Sequence, residues 1–468
     1  MVLVAHVMGV FAVADLVVIV VAVDEIFMKD IYRINPFIRI YECNNIKALF
    51  NMLNLKTLYI SQNNYENMLI EPSSQILEEE FIVSQSFNSI DYFRKNVPQQ
   101  KNNDISVAYF LLNSACNFMC KYCFIESRIE KNDESFMSRE IAEKGIQLLQ
   151  KNIDRKYETT IIFYGGEPFL NFDVMKYIVQ RTKELEMNVK FNVVSNGSII
   201  DTEIINFIKK YKIDIGISID GLKNTNDEMR IDNEEKGTFD KIISTISILS
   251  QNKINFGISC TISKHNMKKI DEIIILLDKY NIKGMGYNLP AENNDVFINK
   301  NEMEIIVNNL LKAEDIIFEK RIYEDRIINR RLKSFVEKTR WIKDCAGYGH
   351  QIAITPKGQV GVCHGLWPDE INKNGNTYYE IDVDYENKIT EHPIWKEWYN
   401  RTPFNMPQCW NCEAISLCGG GCAQKPFLRE GSIWNIDTEI CILMKKVVPW
   451  IIWKYFDVKV KPEFNTDK

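Results

Sequence analysis

Two apolar rhythms alternate along the middle of the chain. Short runs rich in Val, Ile, Phe and Tyr read as buried strands: "ISVAYFLL" at 105–112, "TTIIFYGG" at 159–166, "VKFNVVSNG" at 189–197, "IDIGISIDG" at 213–221, "INFGISCTIS" at 254–263 and "IKGMGYNLP" at 282–290. Each is followed by a stretch with helical periodicity: 138–152 after a Ser start, 171–186, 201–211, 237–252, 265–280, and a long helix over 301–338. Six strand–helix units at 25–40 residue spacing predict parallel strands with helices outside. Six fall short of the eight of a closed barrel, so the expected fold is α/β, a partial (β/α)6 barrel over 101–338.

The flanks differ. "FIRIYEC" (37–43) and "KTLYIS" (56–61) read as strands, with "NNIKALFNMLN" between them as a turn and short helical piece. "NMLIEPSSQILEEEFI" and "NSIDYFRKN" read as helical, giving a small α+β domain at 28–100. Residues 339–448 are short on periodicity and dense in Cys, Gly, Trp and Pro, as expected of a domain organised by metal clusters. The end reads as a helix, with Trp450 and Trp453 as packing residues, and runs into a tail at 449–468.

Composition changes this picture at one place. Residues 1–27 are Val- and Ala-rich and carry no Lys, Arg or Asn, whereas the chain from Met28 onward is rich in Ile, Lys and Asn. The reading is a mis-assigned start with Met28 as the first residue; a membrane anchor is the alternative. Net charge is −6, and no basic block points to nucleic acid.

Ten of the twelve cysteines fall into two groups, at 116–123 and 345–441. In a large α/β chain such clustering favours metal ligation in a reducing compartment, hence a cytoplasmic setting, over a disulfide framework. "SACNFMCKYCFIE" sets Cys116, Cys120 and Cys123 in a loop after the first barrel strand. Three thiolates can be read as a zinc staple, a redox pair with a spare thiol, or ligands to three irons of a 4Fe–4S cube with the fourth iron open.

Residues 105–290 resemble the radical S-adenosylmethionine (SAM) superfamily. Its hallmark Cys-x3-Cys-x2-Cys, with an aromatic before the last Cys, is matched by Cys116, Cys120, Tyr122 and Cys123. "YGGEP" matches the motif that holds the SAM amino group, through Gly165, Gly166, Glu167 and Pro168. "VVSNG" resembles the ribose-side motif, with Ser195 and Asn196; "SIDG" adds Ser218 and Asp220; and "NDEMR" carries Arg230, where similar enzymes place an Arg on the SAM carboxylate. Read for themselves, the glycines permit close backbone approach, a Glu suits an ammonium, and a guanidinium suits a carboxylate. The bland alternatives are a plain turn at 165–168, helix capping by Ser195 and Asn196, and a surface charge at Arg230.

The second cysteine group, Cys345, Cys363, Cys409, Cys412, Cys418, Cys422 and Cys441, resembles the SPASM extension of peptide-modifying members, with a zinc ribbon as the alternative. The resemblance implies three 4Fe–4S clusters, one binding SAM and two auxiliary. Cys409, Cys412, Cys418 and Cys441 would hold one auxiliary cluster. Cys345, Cys363 and Cys422 would hold the other; either one iron is open to a substrate thiolate or a nearby group completes the shell, with His350 and His364 as candidates and Cys43 and Cys260 as further alternatives. Sulfatase-maturing members carry an Asp after the Cys363 position; here His364 stands there, which looks more like maturases of Cys-rich ribosomal peptides. The implied function is reductive SAM cleavage, hydrogen abstraction from a precursor peptide and thioether crosslinking. Other peptide or protein modifications (carbon–carbon crosslinking, epimerisation, sulfatase activation) are the alternatives, as is a non-catalytic iron–sulfur or zinc-binding protein. The implied partners are the precursor, with its leader and Cys-rich core, and an electron donor such as flavodoxin or ferredoxin. The 28–100 domain resembles a leader-recognition element that takes the leader as an added strand.

Overall fold

The computed structural model describes residues 32–100, 104–123, 135–282, 284–290, 298–320, 324–325, 327–366 and 381–464. The sequence-based readings of residues 1–27 lie outside them. No helix among the described residues is long and apolar enough to cross a membrane.

Six parallel strands form the centre: β6 (Val107–Leu111), β7 (Thr159–Tyr164), β8 (Val189–Ser195), β9 (Asp214–Ser218), β10 (Phe256–Thr261) and β11 (Gly284–Asn288). They lie side by side in chain order. Between them run α4 (Arg139–Asn152), α5 (Phe172–Glu184), α6 (Thr202–Tyr211), α7 (Lys223–Met229), α8 (Phe239–Gln251) and α9 (Asp271–Lys279). Burial alternates along the strands: Thr159, Ile161 and Phe163 of β7 are buried, while Thr160, Ile162 and Tyr164 are half-buried. One face is therefore sealed by helices, and the other lines the interior of an open barrel, where side chains remain free to meet a ligand. The helices present the matching stripe. Ile204, Phe207 and Ile208 of α6 are buried at helical spacing, each such side chain contributing roughly 1.5–3 kcal/mol.

The sheet does not stop at residue 338. β13 (Gln351–Ile354) pairs in parallel with β6, and β14 (Gln359–Gly361) and β15 (Ile381–Asp382) continue antiparallel, so the cysteine-rich region is built onto the barrel's first strand. At the other edge, the helix expected over 301–338 is two helices, α10 (Lys300–Lys320) and α11 (Ile328–Val336). Between them Glu324–Asp325 form β12 against β11. The open edge of β11 offers unpaired backbone groups, and pairing there overrides local helical preference.

The N-terminal unit holds β1 (Tyr32–Ile34), β2 (Ile38–Cys43), β3 (Ile46–Asn51), β4 (Thr57–Ser61), α1 (Gln62–Ile70), α2 (Ser74–Glu78), β5 (Ile82–Ser84) and α3 (Ser89–Asn96). The piece read as helical at 44–54 is mostly strand β3. Asn44 and Asn45 take φ of 49° and 61° in a two-residue hairpin turn that suits Asn and pairs Cys43 with Ile46. This unit is docked on the C-terminal region: Tyr59 Oη donates to Ile452 O at 2.7 Å, Lys338 Nζ to Leu55 O at 2.8 Å and Ser416 Oγ to Leu53 O at 3.0 Å. The C-terminal region adds α12 (Pro393–Asn400), α13 (Gln424–Glu430) and α14 (Thr438–Tyr455). Trp450 and Trp453 of α14 are buried, as expected of packing residues.

Candidate active site

The loop carrying Cys116, Cys120 and Cys123 leaves the end of β6 and is held from three sides. The β7 turn holds it by backbone: Gly166 N donates to Asn113 O and Glu167 N to Ala115 O, both at 2.9 Å, and Asn113 Nδ2 donates to Glu167 O at 2.9 Å. Gly165 has φ +142°, and a Cβ there would stand 2.3 Å from Asn113 O; at Gly166 it would stand 2.0 Å from Ala115 O. Only glycines allow the two backbones to meet. Pro168 follows, buried, as the first residue of a single 3-10 turn.

From β8, Asn196 Nδ2 reaches Cys116 Sγ at 3.6 Å and Asn117 Oδ1 at 3.0 Å. Ser195 Oγ donates to Glu167 Oε1 at 3.0 Å. Neither residue caps α6, which is capped by Asp201 accepting from Ile204 N at 2.8 Å. From β9, Asp220 accepts from Tyr122 Oη, from Arg230 Nε at 2.8 Å and from Thr261 N at 2.9 Å. Arg230 follows α7, is buried, lies over the Tyr122 ring and reaches Cys120 Sγ at 3.8 Å. Arg230 is thus no surface charge. Ser218 stands apart, half-buried in its ladder position beside Ser259 of β10.

The electrostatics are those of a site built for charge. Burial pushes the Cys116 thiol up to about 12, and Glu167, Cys120 and Cys123 add to the effect. Glu167 is fully buried and accepts from Phe169 N, Ser195 Oγ and Asn196 N, yet burial still pushes its carboxyl up to about 7. Among the described residues no cation contacts it, so a ligand ammonium would meet an uncompensated acid.

Sequence reasoning passed over Asn117, Tyr109 and Tyr164 here, and read His364 as a candidate cluster ligand. Asn117, inside the cysteine loop, joins Asn196 and Ser198. Tyr109, Tyr164 and His364 form an aromatic wall inside the barrel: the His364 ring stacks on Tyr109 at 3.9 Å and meets Tyr164 edge-on at 5.5 Å. Tyr164 feels Cys123 and Arg230, which places this wall beside the three-cysteine loop. Tyr164 directly precedes the glycine pair, and that adjacency was the available signal.

None of the twelve cysteines is in a disulfide. Those of the second group fall into two neighbourhoods. Burial raises Cys345, with Cys422 and Cys363 adding. Burial raises Cys441 to about 12, with Cys412, Asp437 and Cys409 adding. Cys418, also raised by burial, feels Cys441. One glycine turn, Gly419–Gly420–Gly421, joins the two neighbourhoods, all three residues at positive φ. Among the described residues no group of three or more His, Cys, Asp or Glu converges on one metal-ion position. A cube spreads its thiolates over separate irons, so convergence is not what a cluster requires. His350 has both ring nitrogens engaged, Nδ1 with Asp104 O at 3.1 Å and Nε2 with Lys343 Nζ at 3.3 Å. Cys260 is buried within β10, as its apolar surroundings suggested.

Residues 111–277 match the model of the radical SAM superfamily. The radical SAM cyclopropyl synthase TigE of Paramaledivibacter caminithermalis is 23% identical over 407 residues, 81% of this chain and 82% of that protein. A cysteine-type anaerobic sulfatase-maturating enzyme of Clostridium novyi is 26% identical over 356 residues, 70% of this chain and 90% of its own. Among solved structures, native anSMEcpe with bound AdoMet and the Cp18Cys peptide superposes with a TM-score of 0.63 at 16% identity, covering 76% of this chain and 99% of that one. The open parallel sheet, the loop it presents and these likenesses converge: residues 111–277 form a radical SAM domain, and the chain is an enzyme similar to a radical SAM cyclopropyl synthase and to a sulfatase-maturating enzyme.

Proposed function

We propose that this enzyme forms thioether crosslinks in a ribosomally made, Cys-rich precursor peptide. Cys116, Cys120 and Cys123 are the proposed ligands of the SAM-binding cluster, with Gly165, Gly166, Glu167, Pro168, Ser195, Asn196, Ser218, Asp220, Arg230 and Tyr122 shaping the SAM site. Bound SAM and cluster supply a radical able to take a hydrogen atom from an unactivated carbon. The chain's own part is to bind and orient. Glu167 offers a buried carboxyl to the SAM ammonium. Arg230, already shared between Asp220 and Cys120, offers the remaining guanidinium edge to a carboxylate. The Tyr109–His364 stack forms a wall against which a peptide can be held away from water.

The observation that carries the thioether reading is the three-thiol neighbourhood of Cys345, Cys363 and Cys422. A fully ligated cluster takes four ligands; of the two candidate histidines, His350 is engaged through both nitrogens and the His364 ring is packed into the Tyr109–Tyr164 wall. A ligand position is left for a substrate cysteine. On the peptide, one S–C bond would form as one C–H and one S–H bond break; the carbon's hydrogen atom would leave with 5′-deoxyadenosine, the thiol proton would pass to solvent and the remaining electron to the bound clusters. Cys409, Cys412, Cys418 and Cys441 complete the proposed set of three clusters. The leader is read as a strand added to the N-terminal sheet, whose outer strands β2 and β4 each pair on one side only among the described residues. A reduced flavodoxin or ferredoxin is the proposed donor, and a reducing cytoplasm suits twelve cysteines outside any disulfide. A second reading, carbon–carbon bond formation, is favoured by the likeness to TigE.

Anaerobic reconstitution is expected to load about twelve irons per chain, and reduced enzyme with SAM to release 5′-deoxyadenosine. Cys116→Ala is expected to abolish that release. Cys412→Ala is expected to retain it but yield no crosslinked peptide. Mass spectrometry decides between readings: a product bonded carbon to carbon, with every cysteine still alkylatable, sinks the thioether reading.

A further inference from the structure

Arg401 follows α12 and is fully buried. Its guanidinium donates from Nε to Ile433 O, from Nη1 to Tyr348 Oη at 2.6 Å and Gly420 O at 2.8 Å, and from Nη2 to Asn435 O at 3.0 Å. Every acceptor is a neutral oxygen, and among the described residues no carboxylate pairs with it. Arg331 makes the contrast. It too is buried and reaches the same turn, through Cys418 O at 3.3 Å, but it has a carboxylate partner, Asp344, at 2.6 Å. Hydrogen bonds to carbonyls satisfy donors without cancelling charge. A buried, unmatched ion costs several kcal/mol even after relaxation. A cation kept in such a place therefore signals a nearby anion.

The turn that Arg401 grips is the one joining the two cysteine neighbourhoods. Gly420 O accepts from Arg401, Gly421 O accepts from Tyr348 Oη, and Tyr348 Oη accepts in turn from Arg401. Gly420 lies two residues from both Cys418 and Cys422. Two carboxylates border the turn, but each is held elsewhere, Asp437 by Cys422 N at 2.8 Å and Asp344 by Arg331 at 2.6 Å, so the cysteines, as thiolates, are the anions left to balance Arg401.

We propose that Arg401 is the buried counter-charge of the auxiliary clusters, set at the turn between them so that its field raises their reduction potential. This rests on the ligand assignment proposed above. A positive charge favours the reduced, more negative state of a cluster, and burial keeps that field from being screened. In the metal-free chain the same charge is a liability.

The test compares full-length wild type, Arg401→Gln and Arg401→Lys, each in a Cys116→Ala background so that only auxiliary clusters contribute. Iron is counted, and the clusters are titrated potentiometrically under electron paramagnetic resonance. Arg401→Gln is expected to weaken reduction of an auxiliary cluster about tenfold, about 59 mV for a one-electron couple. Arg401→Lys is expected to stay at the wild-type potential. Metal-free Arg401→Gln is expected to resist urea as well as, or better than, the metal-free parent. A structural staple alone predicts unmoved potentials and equal loss of stability in both variants; either result overturns the proposal. Should Arg401→Gln not accumulate, the Lys variant decides, since a lowered potential there refutes a role of charge. A parent that takes up no auxiliary iron instead overturns the ligand assignment itself.

Discussion

Arg230 and Asp220 form a buried ion pair, Nε to Oδ2 at 2.8 Å, directly beneath the three-cysteine loop. The pair is stitched on both sides, since Asp220 also accepts from Tyr122 Oη and Thr261 N, and Arg230 reaches Cys120 Sγ. Removing one member leaves the other buried and unmatched. Arg230→Met is expected to destabilise the chain by about 3–5 kcal/mol, read by urea unfolding. A loss below 1 kcal/mol (roughly a surface pair's worth) would show that the pair is open to solvent.

Gly166 is the tightest contact between the β7 turn and the cysteine loop. A Cβ there meets Ala115 O and forces apart the two backbones joined by Gly166 N to Asn113 O and Glu167 N to Ala115 O. Gly166→Ala is expected to cost about 2 kcal/mol from those hydrogen bonds alone, and to speed amide exchange at 113–116. Unchanged exchange at that loop would contradict the packing.

The carboxyl of Glu167 is pushed by burial from its ordinary 4.5 up to about 7. The folded chain therefore binds a proton that the unfolded chain has released. This stabilising term is fully present below about 4.5 and is lost as pH rises through about 7. The buried His364 ring, pushed from 6.5 down to about 4, acts in the opposite sense over that range. The measurement is therefore the difference between wild type and Glu167→Gln. Wild type is expected to lose about 3 kcal/mol relative to the variant between pH 4 and 8 in metal-free protein without SAM. A flat difference would place the carboxyl in solvent.

Asp437 ties both cysteine neighbourhoods to one helix. Its Oδ1 accepts from Ile440 N, capping the helix that carries Cys441, and its Oδ2 accepts from Cys422 N at 2.8 Å. Asp437→Ala is expected to cost about 2–4 kcal/mol, a lost cap plus a lost charge-assisted bond. Asp437→Asn should recover the cap portion. Equal losses in the two variants would deny the cap its share.

What the linear chain determined was periodic or local. The strand–helix alternation marks six parallel strands because their spacing and apolar runs repeat, and the Cys116–Cys123 spacing and "YGGEP" are legible because each motif sits within a single loop. The hairpin at Asn44–Asn45 was written in the turn residues but obscured by the helix-like spacing of Ile46, Leu49, Phe50 and Leu53. Only the tertiary structure decided what depends on partners distant in sequence. β13 joins the barrel at β6 across more than two hundred residues because β6 has an open edge. Arg230 becomes a buried ion pair because Asp220 lies across from it. Arg401, an unremarkable Arg beside a helix end in the sequence, becomes a buried cation with only neutral oxygens around it. Charge compensation is a property of neighbours in space, and no pattern along the chain records it.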